Sequence, residues 1–264
     1  MTDLHVHTKF SFDSDEDIEK YLDAAVRLGD GCIGFCDHVE HNMLEFDPNF
    51  PLPDFSVRHA LIKKLKSEFG IKILEGVELG FSENSISYYK KLIDEQRFDY
   101  SIMSVHTVPK RGDCYYPSFY EDLDRRDAYS LYLDEVYKSL NANMDFQIVG
   151  HIGYIARYAP FEPKLLSYNE FAHEIDRILL RIVDRDLALE LNTSAAGLDV
   201  DFVPTADIVG RYAELGGRKF TFGSDAHSVS TYSQGKERVK SYLHALGIDH
   251  TFRYENRIPI KESF

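Results

Sequence analysis

Ile148-Val149-Gly150-His151 is a short apolar run that stops at a histidine. The same punctuation recurs in Asp3-Leu4-His5-Val6-His7, Phe35-Cys36-Asp37-His38, Ser104-Val105-His106 and Gly223-Ser224-Asp225-Ala226-His227. His5, His7, His38, His106, His151 and His227 therefore fall where a strand is expected to end. Imidazoles and carboxylates are common ligands of zinc, iron and manganese. A chain that keeps closing hydrophobic runs with them is expected to converge ligands on one metal site.

The apolar runs cover residues 3–7, 31–37, 71–78, 99–106, 145–151, 187–192 and 218–225, each short enough for a buried strand. Helical stripes separate them. Ile18, Leu22, Ala25 and Leu28 form one, and Leu61, Ile62, Leu65 and Phe69 another, with Ser56 as its expected N-cap. Further helices are expected near 85–96, 126–141, 168–185, 203–215 and 236–246, with Gly29, Gly70 and Gly216 at helix C-termini. Strand followed by helix, repeated without a linker, means an α/β fold with a parallel sheet. Seven such units in one undivided chain favour a barrel over an open sheet, as a single domain over residues 1–264.

The 264 residues, 44% of them apolar, can fill a sizeable core. A formal charge of −14 argues against general nucleic-acid binding, which needs a basic face. No apolar stretch is long enough to span a bilayer, and no basic-then-apolar leader opens the sequence. Cys32 and Cys36 on one strand would stand roughly 13 Å apart, too far to bridge. With Cys114 they suggest a reduced, cytoplasmic protein.

The strand exits read His5/His7, Asp37/His38, Glu78, His106, His151, Asn192 and Asp225/His227. In parallel barrels such exits share one mouth, where active sites are built. Insertions at 39–55 and 107–125 and an irregular stretch at 152–167 are expected to border it. His5 and His7 face one side of a strand, as do Asp225 and His227, and a closed barrel makes first and last strands neighbours. Glu78 is either a solvated loop glutamate or a carboxylate bridging two cations, and its place at an exit favours the bridge. A lone buried histidine is usually structural, but His106 and His151 end on the same rim as the others. Asp13 lies in a loop long enough to fold back over the mouth.

The patterns His5-Val6-His7-Thr8, Asp37-His38, Gly76-Val77-Glu78, Ser104-Val105-His106, Gly150-His151 and Ser224-Asp225-Ala226-His227 resemble those of the polymerase and histidinol phosphatase (PHP) superfamily. Within it, Gly150–Tyr158 and Leu189–Ser194 resemble segments of histidinol-phosphate phosphatases. The resemblance implies a distorted (β/α)7 barrel with three divalent ions of zinc, manganese or iron. His5, His7, Glu78 and Asp225 would hold the first; Glu78, His106 and His151 the second; Asp13, His38 and His227 the third. Many members carry histidine in place of Asp13, and an oxygen ligand there shifts preference toward manganese or iron(II). Cys36 stands where threonine is usual and is expected to pack as a small residue.

The implied activity is hydrolysis of L-histidinol phosphate to L-histidinol and phosphate in histidine biosynthesis, by a hydroxide bridging the first two metals. Asp13, His38 and Arg157 are the expected catalytic residues, with Arg157 forking onto the phosphate. His41, Arg111 and Lys110 are further substrate-binding candidates, and Asp37 is expected to orient a ligand or shuttle a proton. Acidic residues in 39–54 and 113–127 are candidates to receive the substrate's amine. The expected partner is a small phosphomonoester, with no nucleic acid and no membrane. Rival readings are another PHP phosphoesterase acting on nucleotides, nucleic acid or phosphotyrosine, an amidohydrolase, and a metal-binding regulatory barrel without catalysis. The amidohydrolase reading leaves Asp13, His38 and Glu78 unexplained and lacks a lysine at the fourth exit. A degenerate regulatory barrel is expected to have lost some of the nine ligands.

Overall fold

Asp3 forms parallel bridges to both Ile33 and Phe222, and Val6 bridges Ala226. This first segment joins the two outer strands of a curled sheet, which is how the chain closes on itself. The computed structural model describes residues 1–45, 47–195 and 198–264.

After the opening segment come α1 (Ile18–Leu28), β1 (Cys32–Phe35), β2 (His38–Val39), α2 (Phe55–Glu68), β3 (Lys72–Gly80), α3 (Ile86–Gln96) and β4 (Tyr100–Ser104). A small hairpin, β5 (Thr107–Val108) and β6 (Gly112–Asp113), precedes α4 (Arg125–Ser139). The chain continues with β7 (Ile148–Val149), α5 (Ala172–Asp184), β8 (Ala188–Asn192), α6 (Ala206–Glu214), β9 (Phe220–Gly223) and α7 (Lys236–Ala245). It ends in a hairpin of β10 (His250–Glu255) and β11 (Ile258–Ser263). The main sheet runs β1-β3-β4-β7-β8-β9, all parallel, with β2 continuing beside β3. Counting residues 3–6 as a stave, the seven expected runs supply seven staves of the α/β barrel.

Leu4, Cys36, Leu74, Tyr100, Ile102, Ile148, Ala188 and Tyr254 pack into one buried cluster. Tyr100 donates to the Leu4 carbonyl at 2.7 Å, and its ring lies against the bare backbones of Gly34 and Gly76. The C-terminal hairpin inserts Tyr254 into this cluster. Its Glu262 accepts the Thr2 backbone N–H, and its Arg257 donates to the Ile93 carbonyl.

The structure departs from the sequence expectations in five places. The first stave forms isolated bridges rather than a continuous strand. The third strand runs on to Gly80, so Glu78 lies within it rather than at its end. Asp54, not Ser56, caps α2, its carboxylate accepting from the Ser56 and Val57 N–H groups. That helix ends at Phe69 in extended backbone, so Gly70 serves no left-handed cap, whereas Gly29 and Gly216 do have positive φ. The closing hairpin is absent from the expectations because most of its residues are polar and only partly buried.

A methyl group at Gly76 would fall 2.2 Å from the Tyr100 ring. Gly76→Ala is therefore expected to destabilise the metal-free protein by about 1–3 kcal/mol through overpacking, read by urea unfolding. An unchanged midpoint would show that Tyr100 is free to move aside.

Candidate metal centre

Glu78 is fully buried, and the β2–β3 register sets His38 directly beside it. Its Oε2 stands 2.9 Å from His38 Nδ1, 3.2 Å from His5 Nε2 and 3.4 Å from His7 Nε2. Its Oε1 stands 2.9 Å from His151 Nε2 and 3.5 Å from His106 Nε2. Asp225 Oδ1 adds a second carboxylate, 3.3 Å from His7 and 3.6 Å from His5. Nearer the surface, Asp13 Oδ2 lies 3.1 Å from His227 Nε2 and 3.5 Å from His38 Nε2. The structure thus brings all nine expected ligands into one cluster. His38 is shared, with one ring nitrogen toward Glu78 and the other toward Asp13.

Two carboxylates given no role behind the histidines in the sequence expectations orient this cluster, and one of them, Glu40, falls in the 39–54 stretch expected to receive an amine. Glu190 Oε1 meets His5 Nδ1 at 2.5 Å, and its Oε2 accepts the His151 backbone N–H. Glu40 Oε1 meets His106 Nδ1 at 2.7 Å. Such partners fix the tautomer of a ligating imidazole and raise its basicity. Both were signalled weakly in the sequence: Glu190 is a charge between Leu189 and Leu191 on a buried strand, and Glu40 follows His38 at the same i, i+2 spacing as His5 and His7. A side chain at Gly223 would strike His5 Cβ at 2.6 Å and Glu190 at 2.3 Å, so the glycine lets the last strand approach the centre.

The donor set fits divalent metal. His5 Nε2, His7 Nε2 and Glu78 Oε2 are buried without a hydrogen-bond partner, a costly state for polar atoms that a cation would relieve. His106 and His151 turn their Nε2 atoms to each other at 3.4 Å. Ligand atoms lie within 4.8 Å of one another in the groups His7/Asp13/His38/His227, His5/Glu78/His151 and His38/Glu40/His106. Nitrogen and oxygen ligands of this kind suit zinc, manganese or iron(II). Cys36 lies within the same reach of His5 and His7, but burial pushes its thiol well up and keeps it protonated.

A cleft of about 290 Å³ opens over the cluster, lined by Asp13, His38, Glu40, His106, His151, Asp225 and His227 together with Phe12, Asp113, Tyr154, Arg157 and Tyr158. Arg157 donates to Asp225 Oδ2 at 3.1 Å and to Asn192 Oδ1 at 2.9 Å, a buried ion pair rather than a surface one. Its Nε has no hydrogen-bond partner. Asp113 Oδ1 accepts from the Tyr115 N–H at 2.7 Å and the Tyr154 hydroxyl at 3.3 Å.

Three expected substrate contacts lie elsewhere. His41 binds Ser85 through Nδ1 and stacks on Tyr88, because β2 ends at Val39 and position 41 opens a short 3-10 helix that carries it away from the cluster. Arg111 sits in the turn of the β5–β6 hairpin and donates to the Glu121 carbonyl, and Lys110 lines a separate cleft with Asn42 and Glu83. Asp37 points away from the cleft and accepts from Thr8 and Ser11.

Residues 3–194 match the PHP domain family. A probable histidinol-phosphatase of Clostridium acetobutylicum is 32% identical over 230 residues, covering 85% of this chain and 86% of the relative. A histidinol-phosphatase of Lactococcus lactis is 29% identical over 227 residues, covering 85% and 83%. The crystal structure of the Lactococcus lactis histidinol phosphate phosphatase, complexed with zinc, L-histidinol and phosphate, superposes with a TM-score of 0.89 at 25% identity over 98% of each chain. No described helix is long and apolar enough to cross a membrane.

The charges make metal uptake proton-linked. Burial opposes a charge on His106, but Glu40 lifts it to about 10. Burial opposes His5 and His38 likewise, yet neighbouring groups, Glu78 among them, hold both well above the usual imidazole range. Burial and the neighbouring His227 and His38 lower His7 to about 3. Groups with raised values carry protons at pH 7 without metal and must lose them to ligate. Burial opposes a charge on His227 too, but Asp13 raises it, so zinc binding to the metal-free protein is expected to release several protons at pH 7, measured calorimetrically in buffers of differing ionisation enthalpy, and to weaken as pH falls. Uptake without proton release would contradict this charge arrangement. By its sequence, its barrel and its relatives, the chain belongs to the PHP domain family, in the histidinol-phosphatase branch.

Proposed function

We propose that the chain hydrolyses L-histidinol phosphate to L-histidinol and phosphate, within histidine biosynthesis. The observation that carries this reading is the convergence of His5, His7, His38, His106 and His151 on the buried carboxylate of Glu78. The Lactococcus lactis enzyme, which resembles this chain over 98% of its length, holds zinc, L-histidinol and phosphate. His5, His7, Glu78 and Asp225 would hold one ion, Glu78, His106 and His151 a second, and Asp13, His38 and His227 a third. When bound there, divalent zinc, manganese or iron(II) would neutralise charge on the phosphoryl oxygens and would lower the pKa of water from ~15.7 toward about 7.

The chain's own groups do the rest. Arg157 is the arginine among the described residues lining the cleft, and it binds the phosphoryl group while restraining Asp225. Glu190 and Glu40 hold His5 and His106 in place. Asp13 and His38, 3.5 Å apart at the outer end of the cluster, are the groups that would act on the leaving oxygen. Tyr154 and Tyr158, with ring centroids 5.2 Å apart, form an aromatic wall for a flat cationic head group, and Asp113 offers it a carboxylate. The buried thiols Cys32, Cys36 and Cys114, all free, suit the reducing cytoplasm.

Phosphate release from histidinol phosphate is expected to exceed that from sugar, nucleotide and amino-acid phosphates by more than about tenfold, ~1.4 kcal/mol. Chelation should abolish it, and zinc or manganese restore it. A smaller preference removes the substrate assignment, and no turnover with any metal removes the enzyme. Arg157→Ala is expected to lower kcat/KM on the order of 10²–10³-fold. A loss below about tenfold would show that its cationic fork does not touch the phosphoryl group.

A further inference from the structure

We propose that Arg58, on the outer helix α2, fixes which nitrogen of His7 faces the metal centre, acting through Asp37 and Ser11. The inference rests on the metal-centre reading above. Arg58 is fully buried, and its Nη2 donates to the carbonyls of Phe35 at 2.7 Å and Gly76 at 2.9 Å. Its Nε stands 3.2 Å from Asp37 Oδ2. The other oxygen, Oδ1, accepts from the Thr8 N–H at 2.7 Å, the Thr8 hydroxyl at 2.9 Å and the Ser11 hydroxyl at 3.2 Å. Ser11 Oγ in turn accepts the His38 N–H at 3.0 Å and lies 3.0 Å from His7 Nδ1.

A guanidinium donates only, and a serine hydroxyl has one proton and two acceptor sites. With Arg58 behind it, Asp37 is the acceptor that takes the Ser11 proton. Ser11 must then accept from both His38 N–H and His7 Nδ1–H, which completes its bonding. The proton on His7 therefore sits at Nδ1, and the lone pair of Nε2 points at Glu78 and Asp225. The reverse polarity would put hydrogen on Nε2 and block ligation. His5 and His106 each meet a carboxylate directly. His7 meets only a hydroxyl, so its polarity is imposed from two residues further out, and Arg58, Asp37 and Ser11 are positioning residues.

Zinc affinity, measured by chelator competition with elemental analysis, tests this on wild type, Ser11→Ala, Arg58→Met and the double variant. Ser11→Ala is expected to weaken binding about 10–100-fold while the circular dichroism of the metal-free protein is unchanged. Arg58→Met is expected to weaken it in the same direction. The double variant should lie within about threefold of the weaker single variant, because both act along one path. Equal binding by wild type and Ser11→Ala, or losses that multiply in the double variant, would overturn the relay. If Arg58→Met does not fold, Ser11→Ala alone decides. A wild type that takes up no zinc overturns the metal-centre reading itself, an outcome distinct from failure of the relay.

Discussion

A carboxylate with no solvent exposure sits at the middle of this barrel, and the structure around Glu78 is arranged to tolerate it. Taking such a charge out of water costs several kcal/mol even after relaxation, and removing its partners leaves that cost unmet. Burial works against its charge, yet His38 and His5 hold Glu78 well below the usual carboxylate range. The parallel register of β2 on β3, the bridges of residues 3–6 to both neighbours and the bare backbone at Gly223 each bring one of those partners within reach.

The imidazoles around it are themselves held from behind, and the means differ by position. His5 and His106 lean on glutamates, whereas His7 leans on a serine whose own orientation comes from a salt-bridged aspartate. Arg157 performs a related task for Asp225, linking it to Asn192 and so to the Glu190 network. The centre is thus two nested shells, an inner one of candidate ligands and an outer one of fixed donors and acceptors, with aromatic side chains lining its open side.

The nine candidate ligands were legible in the sequence because each lies at or near the end of a hydrophobic run, where a polar residue is conspicuous. Seven staves and their helices followed from alternation of apolar runs and helical stripes. The outer shell was far less visible. Glu190 is hidden inside a strand that otherwise reads as core, and Glu40 reads as the start of a polar loop. Arg58 is one basic residue on a helix with several others, and only tertiary structure separates it from Lys63 or Lys64. His41 and Arg111 were misplaced because proximity in sequence to a strand exit does not say which way a loop residue turns.

The candidate ligands are dispersed from His5 to His227, and the stave that carries the first pair is held by bridges to a strand near residue 222. During synthesis on the ribosome, His5 and His7 emerge first but have no neighbours on one side until β9 is complete. The segment that inserts Tyr254 into the barrel comes later still. Long-range closure of this kind is slow relative to local structure. The candidate ligands from His5 to His227 therefore reach their final grouping only once β9 and the residues that follow it have joined the sheet.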